Sequence, residues 1–196
     1  EILAMEWGPL SLRGGIRPDS LYISLGAEHF PGDLGRAFGP LRAELYLRQM
    51  RYLVAEVLLE EDLLQANGSF DLQEMVADSM SIVVRAADLQ RIAPDAEGEL
   101  DVDLRAAGPL DVDALEVSAQ LAVRGLSYSD WRVEPLTAVA DWRDGGSEVA
   151  INGKGIAARV STNKRGELEA RAEFAGFLLR RAASDSLALA GTLDFR

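Results

Sequence analysis

Residues Leu100-Asp101-Val102-Asp103-Leu104-Arg105 alternate apolar and charged side chains over six positions. Successive side chains on a strand point to opposite faces, so this spacing predicts a strand with one dry face and one wet face. Further along the chain, Leu115-Glu116-Val117-Ser118-Ala119-Gln120-Leu121 repeats the pattern, with Val123 continuing it. So does Leu168-Glu169-Ala170-Arg171-Ala172-Glu173-Phe174, and Leu187, Leu189, Leu193 and Phe195 carry it towards the C-terminal end. Strands covered on both faces read as continuous apolar runs, so this alternation argues for an antiparallel sheet. Asn67-Gly68, Asp144-Gly145-Gly146, Asn152-Gly153 and Asn163-Lys164-Arg165-Gly166 read as tight turns, because these residues tolerate positive φ. The expectation is a mostly β chain, a long antiparallel meander of roughly a dozen or more strands.

The stretch from Leu41 to Leu64 is rich in Leu, Glu, Arg and Ala, which is the composition of a helix. Its apolar positions, Leu45 and Leu47 among them, fit neither period cleanly. By analogy with the clearer strands downstream it is read as two strands, Ala43–Arg48 and Leu53–Glu60.

Composition removes many functions. The 196 residues hold no cysteine and one histidine, His29, so thiol nucleophiles, Cys-ligated metals and a multi-histidine metal cage are excluded. Acidic residues outnumber basic ones 32 to 20, for a net charge of −12, which argues against nucleic acid as a partner. No stretch free of charged residues exceeds eight positions, too short for a bilayer-spanning helix. The chain starts at Glu1 and is read as one β-rich segment, residues 1–196, of a longer protein, with a soft subdivision near residue 96.

A composite unit recurs: a strand, a short helix-like segment, then a strand opening on Glu-Leu or Thr-Leu. Its copies run through Ala27–Pro31, Gly32–Gly39 and Ala43–Arg48; through Ala87–Pro94 and Gly98–Arg105; and through Ala175–Arg181 and Gly191–Arg196. Gly-Pro-Leu also occurs three times, at 8–10, 39–41 and 108–110. These degenerate repeats, the joint at Asp19–Pro31 and the C-terminal Ser186–Phe195 resemble the TamB/AsmA-like proteins. The resemblance implies short helices between strands and a sheet curled into an open trough with an apolar inner face. It implies a periplasmic segment of a protein anchored in the inner membrane by a part outside this chain. The implied function is moving phospholipid towards the outer membrane, with an outer-membrane barrel as a partner through regions not present here. No residue in the pattern is catalytic, no cofactor or metal is implied, and the segment is expected to be monomeric.

The physics gives that function a rationale. A one-sided apolar sheet must close on itself, pack on a second layer or bind something apolar. A 16-carbon tail left bare in water costs on the order of 10 kcal/mol, which an apolar strip removes while the headgroup stays in solvent. The candidate lipid-groove residues are Leu45, Leu47, Leu100, Val102, Leu104, Val117, Ala119, Leu121, Val123, Leu168, Ala170, Ala172, Phe174, Leu187, Leu189, Leu193 and Phe195. The alternative is a non-transporting β-scaffold with a dry core that aids assembly of outer-membrane proteins.

Other constellations have plainer readings. Asp101, Asp103, Asp111 and Asp113 form two Asp-Val-Asp triplets without a calcium loop, and read as a solvated face. Gly153-Lys154-Gly155-Ile156-Ala157-Ala158 matches a relaxed dinucleotide fingerprint, but Arg159-Val160-Ser161-Thr162-Asn163 after it reads as strand and turn, not helix. His29 has no marked nucleophile and reads as a packing residue at a joint. Trp131-Arg132 and Trp142-Arg143 are placed on neighbouring strands, as packing residues.

Overall fold

The structure, a computed structural model, describes residues 9–31, 37–60, 63–86, 88–91, 95–111, 114–128, 131–181 and 186–195. Among them are sixteen strands. The first eight are β1 (Leu10–Arg17), β2 (Ser20–Ala27), β3 (Phe30–Pro31), β4 (Ala37–Phe38), β5 (Leu41–Arg48), β6 (Tyr52–Leu59), β7 (Leu64–Asp71) and β8 (Val76–Ala86). The rest are β9 (Ala96–Pro109), β10 (Glu116–Tyr128), β11 (Trp131–Val133), β12 (Leu136–Arg143), β13 (Gly146–Gly153), β14 (Ile156–Thr162), β15 (Leu168–Arg181) and β16 (Ser186–Phe195). Fourteen belong to one antiparallel sheet; β3 and β4 pair separately. Among the described residues the sheet has free edges: β1 pairs only with β2, and β16 only with β15. The fold is therefore a mostly β antiparallel meander. The described residues hold one short helix, the 3₁₀ turn Leu89–Arg91, inside the segment 87–94 where the sequence places one.

The chain divides into two compact units, the first covering residues up to Val84 together with Ala107–Pro109, the second the remainder. The sequence signal for a boundary lies some ten residues later, near 96.

In the first unit, β1, β2, β5, β6, β7 and β8 pair in order. The helix-like stretch 41–64 is β5 and β6, paired residue by residue from Leu41↔Leu59 to Arg48↔Tyr52. Tertiary pairing overrides helix propensity here, because Leu41, Ala43, Leu45 and Leu47 share one face and meet Leu59, Val57, Ala55 and Leu53. Asn67-Gly68 is not a turn. It lies inside β7, opposite Glu56 and Ala55. A Cβ on Gly68 would sit 2.9 Å from the Phe70 ring, so this glycine makes room for an aromatic neighbour instead of bending the chain.

In the second unit, β11 and β12 are two stretches of a single run opposite β10, in the same register on both sides of a break at Glu134-Pro135. Trp131 and Trp142 thus lie along one line opposite β10, not on neighbouring strands. Next to that run, the β13–β14 hairpin is inserted as a wedge. Beside β12 the order is β13, β14, β15. Beyond the hairpin tip β15 pairs directly with β11, at Trp131↔Arg181 to Val133↔Leu179. Two strands occupy ~10 Å at normal spacing, so β15 must converge on β11 past the tip. It does so where its register slips by one between Ala175 and Phe177, just after the Ala175 N–H bonds the Gly155 carbonyl at the tip. The turn itself is Lys154-Gly155, two residues later than the sequence places the bend, and Asn152-Gly153 is the end of β13. The glycine-rich fingerprint is this hairpin, with no helix after it.

Candidate functional site

Register decides which side chains share a face. In the first unit four rows run across all six strands. They are Leu10–Ala27–Leu41–Leu59–Leu64–Val84, Leu12–Leu25–Ala43–Val57–Ala66–Ile82, Gly14–Ile23–Leu45–Ala55–Gly68–Met80 and Ile16–Leu21–Leu47–Leu53–Phe70–Ala77. No position among the 24 carries a polar side chain. The opposite face holds Arg13, Arg42, Glu44, Glu56, Gln65, Asn67 and Ser81. The apolar rectangle measures ~24 Å across the strands and ~20 Å along them.

The second unit repeats the arrangement. Its rows are Val123–Leu136–Gly153–Ile156–Phe174–Gly191, Leu121–Ala138–Ile151–Ala158–Ala172–Leu193 and Ala119–Ala140–Val149–Val160–Ala170–Phe195, with Val117, Trp142 and Leu168 in a fourth, more polar row that includes Ser147 and Thr162. Glu148, Arg159, Arg171, Glu173 and Asp194 stand on the other face. Arg159 donates to Glu148 at 2.8 Å and Arg171 to Glu173 at 2.6 Å. In β9 the phase is fixed by charge pairing: Arg124, which alternates with the apolar positions of β10, reaches Glu99 and Asp101 at 2.9 Å each. Those carboxylates take the charged side, so Leu100, Val102 and Leu104 alternate onto the apolar one.

Leu45 and Leu47 therefore lie on the apolar face of the first unit. Leu100, Val102, Leu104, Val117, Ala119, Leu121, Val123, Leu168, Ala170, Ala172, Phe174, Leu193 and Phe195 lie on that of the second. Leu187 and Leu189 pair with Leu179 and Phe177, and their side chains lie outside the described ones. Sequence reading missed most of the first unit's face, including Leu21, Ile23, Leu25, Val57 and Ile82. The reason is visible in β6: Val54 and Leu58 sit on the far face, so Leu53-Val54-Ala55-Glu56-Val57-Leu58-Leu59 does not alternate cleanly. Val149, Ile151, Ile156 and Val160 were also missed, in strands noted for their turns.

These faces are not filled like a core. Among the described residues no large side chain is fully buried, and the buried apolar set is Ala27, Leu63, Ala77, Ala86, Leu89, Ala96 and Ala106. Leu12, Ile16, Leu193 and Phe195 are more than half exposed. Leu45, Leu47, Val57, Leu121 and Val160 are half-buried.

The charged faces carry their own features. A shallow depression of about 550 Å³ in the second unit lies among Glu148, Asn152, Arg159, Glu169, Arg171 and Glu173, on the charged face and away from the apolar rows. In the first unit Tyr22 and Tyr46 stack across β2 and β5 with centroids 4.6 Å apart. Burial, then the neighbouring Tyr22, pushes the Tyr46 phenol above its ordinary value. Nearly buried Asp71 accepts two bonds from Arg51 Nε, at 2.8 and 2.9 Å, and the backbone N–H groups of Gln73 and Glu74. The Arg51 bond, foremost, holds the Asp71 carboxyl down at about 2. Asp101 and Asp103 are engaged with Arg124 and Arg105, as expected of a solvated, ion-paired face; Asp113 lies outside the described residues. His29 is exposed after β2. Among the described residues no group of three or more His, Asp or Glu is placed to hold a metal ion. In comparisons with known proteins, no family model, no curated protein and no solved structure matches this chain.

Proposed function

We propose that this chain shields the acyl chains of phospholipid along its apolar sheet faces, as a periplasmic segment of a TamB/AsmA-like protein that carries lipid between the inner and outer membranes. The observation that carries the reading is the first unit's face: 24 consecutive register positions without a polar side chain, of which only the alanines Ala27 and Ala77 are buried. Contiguous apolar surface of that extent, half-buried over most positions and exposed at Leu10, Leu12, Ile16 and Ile23, is the mark of an interaction site. A tail spanning one leaflet is ~15 Å long, half the hydrocarbon core, and fits within the ~20 by ~24 Å rectangle. Such a tail needs dispersion contact and exclusion of water, both of which alanine and leucine rows supply. The headgroup needs only solvent, so no catalytic group takes part. Half-buried alanines such as Ala119, Ala170 and Ala172 leave a shallow floor, and Leu121, Phe174 and Leu193 stand up from it.

Native mass spectrometry of the protein purified from a bacterial host tests this. Co-purified phospholipid is the expected result; a ligand-free spectrum under gentle ionisation leaves the scaffold reading. Leu121→Asp separates the two structurally. On a lipid-holding face the charge reaches water, the fold loses only about 1–2 kcal/mol, and bound lipid is lost. In a dry core the same change costs several kcal/mol and the protein unfolds.

A further inference from the structure

Two hairpin tips lie side by side at one end of the first unit. Gln49-Met50 turns β5 into β6, and Leu72–Met75 turns β7 into β8. The Leu72 N–H donates to the Arg51 carbonyl at 2.9 Å, and the Arg51–Asp71 pair fastens one tip to the other. Met50 and Met75 both adopt left-handed backbone, with φ of 50° and 54°. A Cβ is costly there and glycine or asparagine is the usual choice. The same chain makes that choice at Asp144-Gly145, with φ of 53° and 70°, where β12 turns into β13. The backbone therefore does not ask for methionine at 50 or 75. Packing does not ask for it either, since the two side chains are 67% and 56% exposed, with Leu72 at 39%. Behind these tips the strands present the apolar row Ile16–Leu21–Leu47–Leu53–Phe70. In a chain of net charge −12 the turn charges at this end nearly cancel: Arg17, Arg48 and Arg51 stand against Asp19, Asp71 and Glu74, and Asp78 follows in β8.

We propose that the paired tips are a membrane-docking edge, which places Met50, Leu72 and Met75 in the interface of a bilayer with zwitterionic headgroups. Methionine is unbranched and polarizable and adapts to a fluid surface. An end whose turn charges nearly cancel approaches such a surface with less repulsion than the rest of the chain would meet at an anionic one. The choice of a bilayer over a protein rests on the acyl-chain reading, because a tail leaving the bilayer here meets the first apolar row directly.

The test is flotation of the full chain with phosphatidylcholine–phosphatidylethanolamine vesicles, comparing it with Met50→Gly/Met75→Gly. Glycine relieves the left-handed backbone, so the variant keeps its fold. Binding of a fluorescent fatty acid is read in parallel. The expected result is flotation of the native chain, a loss of about tenfold in partitioning for each methionine removed, and unchanged fatty-acid binding. A native chain that stays at the bottom of the gradient, or a double variant that floats equally well, overturns the docking edge. Methionine-dependent flotation without any fatty-acid binding supports the docking edge and removes the acyl-chain reading instead.

Discussion

Gln49 and Met50 close the β5–β6 hairpin with φ of 53° and 50° and no glycine between them. Positive φ at both central positions is the geometry whose twist matches paired strands, so the turn form is set by the strands and the residues bear the strain. Met50→Gly is expected to raise stability by about 0.5–1 kcal/mol, read as a higher urea midpoint at unchanged slope. Asp71 is a second site where one residue governs its surroundings. Its carboxyl sits near 2, below its ordinary 3.8. A lowered folded-state value stabilises above the unfolded value, and that stabilisation is lost as pH falls through the folded one. The melting temperature should thus hold steady from neutrality to about pH 4 and decline towards pH 2. Asp71→Asn should lower the neutral melting temperature and flatten that decline. Residue-level cues misled in one place. Asn67-Gly68 has the composition of a tight turn, yet the Phe70 ring two residues on needs the space a Cβ would fill. A local motif does not reveal a neighbour's bulk.

Strands were legible wherever one face is charged. Leu100–Arg105 and Leu168–Phe174 announce themselves because Asp, Glu and Arg mark every second position. In β6 the far face is partly apolar, and only the pairing partners show the phase. The β13–β14 wedge could not be read from sequence, because it depends on β15 being longer than its hairpin neighbour. Its tip is tightly fitted: a Cβ on Gly153 would lie 2.4 Å from Leu136 Cδ2, 2.9 Å from the Pro135 carbonyl oxygen and 3.1 Å from Ile156 Cγ2. Gly153→Ala should cost about 1–3 kcal/mol by overpacking, measured by denaturant unfolding. Gly155→Asn, at the tip's positive φ of 77°, should cost far less, since asparagine tolerates that backbone.

Across the whole chain, composition and pairing agree. Nearly half the residues are hydrophobic, yet the described side chains that are fully buried are mostly alanines. The apolar residues of the described strands are spread over sheet faces instead of gathered into a closed core, and strand charges such as Arg42, Glu44, Glu56, Glu148, Arg159 and Arg171 stand on the other side. Alternation in the sequence is enough to reveal that there are two kinds of face; it does not reveal what, if anything, lies against the apolar one. Photocrosslinking addresses that directly. A diazirine-bearing fatty acid bound to the native chain, irradiated and mapped by peptide mass spectrometry, should label Leu45, Val57, Leu121 and Val149. It should spare Ser24, Glu56, Gln120 and Arg159, which occupy the opposite faces of the same sheet. Labels divided evenly between the two sets, or concentrated on the charged one, would refute acyl-chain shielding by the apolar rows.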